Sequence, residues 1–226
     1  RALADQAATA LDNARLFQRT KEFAARLESS YFETVTALAA AMEAKDQYTA
    51  EHADMLATMA VSVGRRMSLS ESELRDLRYA SVLHDIGKIG IPGHILNKPG
   101  RLTDEEYAVM AQHTIIGERI ISQIDYLAPI GKAVRAAHER WDGRGYPDQL
   151  AGEQIPLPSR ILFVCDAFHA MTSDRPYRGA MRHEDALEEL RRNAGAQFDP
   201  AVVQAFLEVW PQIAARDAAT PAHALN

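Results

Sequence analysis

One cysteine in 226 residues excludes a disulfide framework within the chain. Cys165 lies inside the apolar run RILFVCDAF, Arg160 to Phe168, where a core position is expected, and the composition fits a reducing, cytoplasmic compartment. Long hydrophobic runs are missing as well. The apolar stretches fall well short of the ~20 residues that cross a bilayer, and no charged-then-apolar leader opens the chain, so no membrane span is expected within this segment. It begins with Arg1 rather than Met, as expected of a piece of a longer protein. A basic surplus is absent too: 25 Lys and Arg stand against 31 Asp and Glu, a formal charge of −6, which argues against binding long nucleic acid along its backbone. A small anionic ligand stays open, because a bound metal supplies positive charge locally.

Glycine and proline are absent from the first forty-odd residues, which read as one long helix. Steps of four and three give Leu3, Ala7, Ala10, Ala14, Phe17, Lys21, Ala24, Glu28, Tyr31, Val35, Leu38 and Met42. All but Lys21 and Glu28 are apolar or small, a seam suited to a parallel helix pair and hence to a homodimer. From Tyr48 to about Leu127 the pattern stays helical, broken at Gly64 and at GKIGIPGHILNKPG. It restarts at LTDEEY, with Thr103 as N-cap and Glu106 three residues on. Trp141 to Pro158, dense in Gly and Pro, reads as a long ordered loop. IPLPSRILFVCDAFHAMTSD, HEDALEELRR and PAVVQAFLEVW read as three further helices. Convincing strand alternation is missing throughout, so the expected fold class is all-α.

Of eight histidines, those beside carboxylates or in apolar-flanked helices are His52, His84 next to Asp85, His113 and His138, and Asp166 stands alone in FVCDAF. Their separations of 32, 28, 25 and 28 residues are about one helical element each, so ligands drawn one per helix can converge in a bundle. Four imidazoles and two carboxylates would saturate one octahedral ion, whereas catalytic sites keep an open position. Two ions sharing Asp85 use the same six side chains and leave room. Helix neighbours diverge by ~100°, so His84 and Asp85 can reach different sides of a metal pair. With no thiolate in the set, Fe or Mn is favoured, with Zn, Ni or Mg as alternatives. His94 reads as a solvated loop residue, and His183 and His223 have no visible role.

At these positions the sequence resembles a known family. TAEH (49–52), HDIGKIGIP (84–92), MAQHTIIG (110–117), HERWDGRGYP (138–147) and FVCDAFHAMTSDRPYR (163–178) are similar to the successive motifs of HD-GYP domains. These are helical bundles of the HD phosphohydrolase superfamily that hydrolyse the bacterial second messenger cyclic di-GMP. The opening LADQAATALDNARLFQ resembles the last helix of a GAF sensor domain. The resemblance implies a linker helix over 1–31, a phosphohydrolase domain over 32–210 and a C-terminal tail over 211–226. It implies metal ligation by His52, His84, Asp85, His113, His138 and Asp166. Lys88 would face the scissile phosphate, and Gly145, Tyr146, Arg175 and Arg178 would line the ligand site. A water or hydroxide between two metals would attack in line, and the GYP loop would be a contact surface for GGDEF-domain partners.

Three departures from the family pattern stand out. Ala137 replaces the first of two consecutive histidines in many members. Tyr48 stands where three-metal members carry a Glu, so a third ion is not implied. His169, one turn beyond Asp166, replaces an Asp that approaches the ligand, and can contact substrate. A two-metal member is expected to stop at the linear dinucleotide pGpG. Two other functions compete with this one: a cyclic di-GMP-binding sensor of weak turnover, and a phosphohydrolase for another cyclic dinucleotide.

Overall fold

A computed structural model describes residues 2–43, 50–174 and 179–219, and the side chains of 5–7, 9–41, 54–174 and 179–215. The helices in chain order are α1 (Ala2–Glu43), α2 (Ala50–Arg66), α3 (Glu71–Leu83), α4 (Gly93–Leu96), α5 (Asp104–Ala111), α6 (His113–Ile121), α7 (Gly131–Arg135), α8 (Leu157–Thr172), α9 (His183–Arg192) and α10 (Pro200–Ala219). Tight 3-10 turns cover Ile86–Gly90, Ala128–Ile130 and Gly152–Gln154. Among the described residues there is no strand, only two isolated bridges, Asp142 with Ala151 and Ala194 with Phe198. The expected all-α class holds.

The chain divides into a unit of residues 1–38 and a unit of residues 39–226. The first is one uninterrupted helix, as the absence of glycine and proline predicts. It leaves large apolar side chains in water: Leu11, Leu16, Phe17, Phe23, Leu27, Tyr31 and Leu38 are all exposed. Phe17, Tyr31 and Leu38 belong to the seam expected from sequence, and Leu16, Phe23 and Leu27 widen it.

In the second unit α8 is the central element. Ile161, Val164, Cys165 and Phe168 recur at helical spacing and are fully buried, so α8 carries one continuous apolar face. Leu56, Met59, Ala60 and Val63 of α2, Ala186 and Leu190 of α9, and Val202, Val203, Phe206, Val209 and Ile213 of α10 complete the core. The Phe168 ring lies 4.9 Å from that of Phe206 and 4.4 Å from that of Trp210. Burying side chains of this size stabilises by ~1.5–3 kcal/mol each. Cys165 is in this core, as expected, and burial pushes its thiol pKa up.

Two expectations are corrected. Gly64 does not break a helix, since α2 runs through to Arg66. A Cβ at Gly64 would come within 2.8 Å of Leu74 Cδ2, so the glycine lets α2 and α3 pack closely. The chain also does not become a tail at 211. α10 continues through Pro211 to Ala219, because Ile213 lies beyond the proline in the core, 5% exposed.

Helix ends set the site. Ser70 and Glu73 form a capping box at the start of α3, and Thr103 and Glu106 form the expected one on α5. α3 stops at Leu83, His84 caps it, and Asp85 follows at φ −96°, ψ 1°, in the sparsely used bridge region where turn and active-site residues sit. The turn Ile86–Gly90 then packs on α6 so tightly that a Cβ at Gly87 would lie 1.8 Å from the His113 carbonyl oxygen and 2.5 Å from the Gly117 nitrogen.

The loop between α7 and α8 is fastened by ion pairs. Arg135 reaches Glu118 on α6 at 2.9 Å and Asp148 in the loop at 2.6 Å. Arg160 pairs with the buried Asp199 at 2.7 Å and lies over the Trp141 ring. Arg140 grips Asp142 through two hydrogen bonds and, with the Arg144 backbone N–H, holds its carboxyl down at about 2.

Gly87→Ala is therefore expected to lose about 3 kcal/mol or more in urea unfolding, because backbone and not a movable side chain is in the way; a loss under about 1 kcal/mol contradicts this packing. A second expectation concerns pH. The Asp142 pKa is lower folded than its ordinary 3.8, so its stabilisation is complete above that value and fades as pH falls toward 2. The stability gap between wild type and Asp142→Asn should narrow from about pH 5 to about pH 3; a constant gap would show that the ion pair does not carry it.

Candidate metal centre

His84 and His113 are built alike. His84 ends α3 and its Nδ1 lies 2.8 Å from the Ser81 carbonyl; His113 opens α6 and its Nδ1 lies 2.8 Å from the Met110 carbonyl. A carbonyl oxygen only accepts, so each Nδ1 donates. In the neutral ring this leaves Nε2 as a bare lone pair.

Both Nε2 atoms face Asp85. His113 Nε2 is 3.4 Å from Oδ1, His84 Nε2 is 3.5 Å from Oδ2, and His138 Nε2 is 4.0 Å from Oδ1. Asp85 Oδ1 and His113 Nε2 are buried and have no hydrogen-bond partner. Two buried acceptors turned toward each other repel unless a cation stands between them. One ligand atom from each of Asp85, His113 and His138 lies within 4.8 Å of the other two, which makes these residues a possible metal-binding group.

The electrostatics agree with that chemistry. Burial alone would push the Asp85 carboxyl up, but the Lys88 ammonium and His84 overcome it and hold it well below the usual carboxylate range. Burial works against the His84 imidazolium, yet the Asp85 and Asp166 carboxylates outweigh it and raise its pKa. Burial dominates at His113 and lowers it to about 4, so this ring is neutral and able to bind a metal.

His84, Asp85, His113 and His138 are thus brought together, and the charge of Asp166, half-buried on α8, reaches His84. His52 belongs to α2, but its side chain lies outside the described residues, as do Arg175 and Arg178. Lys88 sits directly on Asp85, with Nζ 2.7 Å from Oδ2. His169 is not among the grouped ligand atoms. It lies 3.2 Å from Ser173 Oγ and lines a cleft of about 160 Å³ with Met55, Met59 and Trp210. His183, without a visible role in the sequence, packs edge-on against Trp210 at 4.9 Å. Ala137 is buried in the apolar core.

The loop after His138 is organised by Glu139, a carboxylate that sequence reasoning missed although it adjoins a candidate ligand. It is 2% exposed and accepts from the backbone N–H of Asp148 at 2.7 Å and of Leu150 at 3.1 Å. Burial raises its pKa in spite of these bonds. Gly145, expected to line a ligand, packs closely on the preceding backbone: a Cβ there would lie 2.4 Å from the Arg140 nitrogen and 2.5 Å from Glu139 Cα. That close approach brings Tyr146 over His138, the rings stacked at 5.3 Å and 28°. Burial pushes the Tyr146 phenol pKa up. No helix among the described residues is long and apolar enough to cross a membrane.

Comparison with known proteins fits this geometry. The HD domain family profile matches residues 14–202. The chain is 39% identical over 201 residues to a cyclic di-GMP phosphodiesterase of Thermotoga maritima, covering 88% of this chain and 55% of that protein. It is 42% identical over 177 residues to the cyclic di-GMP phosphodiesterase response regulator RpfG of Xanthomonas campestris pv. campestris, covering 77% and 47%. It is 37% identical over 191 residues to the 3'3'-cGAMP-specific phosphodiesterase 2 of Vibrio cholerae, covering 84% and 37%. The chain therefore spans about half or less of these relatives' length. In fold it is similar to the crystal structure of a cyclic GMP-AMP specific phosphodiesterase of V. cholerae, with a TM-score of 0.67 at 21% identity, covering 81% of this chain and 50% of that one. The matched span takes in every element that contributes to the cluster around Asp85, and the chain belongs to the HD-domain family.

Proposed function

We propose that this chain is a metal-dependent phosphodiesterase that opens cyclic di-GMP to linear pGpG. The observation that carries this reading is the pair of buried, unpartnered acceptors, Asp85 Oδ1 and His113 Nε2, which a cation would satisfy. We assign His52, His84, Asp85, His113, His138 and Asp166 as ligands of two divalent ions, with Asp85 shared. Nitrogen and oxygen donors without thiolate suit Fe or Mn, while Zn, Ni and Mg remain compatible. Bound there, such ions would neutralise phosphodiester charge and lower the pKa of the attacking water.

The chain's own residues have separate tasks. His113, with its pKa near 4, presents a neutral ring without first releasing a proton. Lys88 holds the Asp85 carboxylate, and we assign its ammonium to stabilising charge on a non-bridging or leaving oxygen of the phosphodiester. Tyr146 covers one face of His138 and limits water there. Gly145 supports this by letting the loop close on Glu139. Arg175 and Arg178 are assigned to phosphate by forked hydrogen bonds, and His169 to substrate contact from the end of α8.

A second reading, hydrolysis of a different cyclic dinucleotide, is favoured by one finding: the relative named for 3'3'-cGAMP is nearly as similar as those named for cyclic di-GMP. Residues 1–31 are assigned as a signalling helix following a GAF-like sensor. The row of exposed apolar side chains from Leu11 to Leu38 is assigned to a second copy of the chain. The loop around the exposed Arg144 is assigned as the surface for a GGDEF-domain partner.

Protein loaded with Mn or Fe should convert cyclic di-GMP to pGpG, and Asp85→Ala should lower kcat/KM by about a thousandfold. Chromatography separates the outcomes. GMP as the first product contradicts the assigned end point, faster cleavage of 3'3'-cGAMP selects the second reading, and binding with no cleavage above the Asp85→Ala control makes the chain a sensor. Sedimentation should report a dimer that Phe23→Glu with Tyr31→Glu converts to monomer; an unchanged dimer contradicts the helix seam.

A further inference from the structure

Tyr107 has no role in the assignments above, although it stands at the rim of the metal centre. It lies on α5, is 53% exposed, and meets Tyr146 edge to face at 5.8 Å and 84°. Tyr146 in turn stacks on His138. The three rings form a path from solvent to a candidate metal ligand in two ring-to-ring steps.

Core packing does not account for Tyr107, because α5 has no buried residues. The helix is held from its N-terminal end. Glu106 accepts from the Thr103 backbone N–H at 2.7 Å and pairs with Lys98, and the Thr103 side chain accepts in return from the Glu106 N–H. Tyr107 therefore follows a residue fixed on two sides. Arg140, at the start of the same loop as Tyr146, is fixed by its two hydrogen bonds to Asp142. The rim thus presents an aromatic side chain more than half open to water.

We infer that Tyr107 is a base-stacking residue, whose exposed face takes one purine of the cyclic dinucleotide while the phosphodiester attached to that nucleoside lies at the His138 side of the centre. A base and its phosphate are joined by one sugar, and Tyr107 is joined to His138 through one ring, Tyr146, in steps of 5.8 and 5.3 Å. Stacking on an aromatic ring tolerates any purine, so Tyr107 strengthens binding of cyclic dinucleotides as a class without choosing among them. This inference rests on the phosphodiesterase reading.

Steady-state kinetics on the metal-loaded chain test it, with metal content measured on every sample. Tyr107→Ala should raise KM for cyclic di-GMP by about tenfold, with kcat within about twofold and metal content unchanged, and Tyr107→Phe should keep the wild-type KM. An unchanged KM in Tyr107→Ala overturns the inference. A joint fall of kcat and metal content overturns it too, since Tyr107 would then merely prop Tyr146 against His138. Wild-type protein that leaves every cyclic dinucleotide uncut contradicts the phosphodiesterase reading itself and removes the basis for this role. That outcome is visible before any variant is made.

Discussion

Asp85 is a carboxylate kept ionised while facing the bare lone pair of His113, and the site follows from that arrangement. Its charge is maintained by Lys88 at 2.7 Å and by His84, against the cost of burial. The histidines around it are oriented from behind, each of His84 and His113 donating to a carbonyl three residues earlier on its own segment. Oriented in this way, the neutral His113 ring has no proton to offer the carboxylate. The cluster leaves Asp85 Oδ1 and His113 Nε2 without a partner, and a cation bound there would satisfy both.

That condition imposes demands on the backbone. Asp85 and His113 approach each other because the turn after Asp85 lies directly on the start of α6, and Gly87 alone makes the contact possible by having no side chain to collide with the His113 carbonyl. His138 comes from a third segment, held by a different device. Glu139 ties the loop back through two backbone N–H groups, Gly145 lets it close, and Arg135 links it to α6 through Glu118 and Asp148. Each of these segments is thus fixed to its neighbour by backbone contact or ion pair. The apolar core around α8 supplies the stability that allows polar groups to be buried beside it.

Much of this could be read from the chain itself. Helical spacing gave α8, α9 and α10, and the Thr103–Glu106 signature marked the start of α5. The separations between histidines and carboxylates selected His52, His84, Asp85, His113, His138 and Asp166, and of these His84, Asp85, His113 and His138 lie together in the structure. What could not be read depends on partners far away in sequence. Gly64 resembles a helix breaker until Leu74 is packed against it, and position 211 resembles an end until Ile213 is seen in the core. Glu139 has the composition of an exposed loop acid, and its burial follows from N–H groups nine and eleven residues away. Tyr107 sits in a short helix with no buried residue, and its place at the rim is set by the folding of the GYP loop over His138.

Anomalous X-ray scattering from crystals of the Mn-loaded chain tests the shared-carboxylate centre most directly. Two metal peaks with the Asp85 carboxylate between them, and with His84 and His113 on opposite sides, are the predicted result. A single peak, or metal bound away from Asp85, would contradict it.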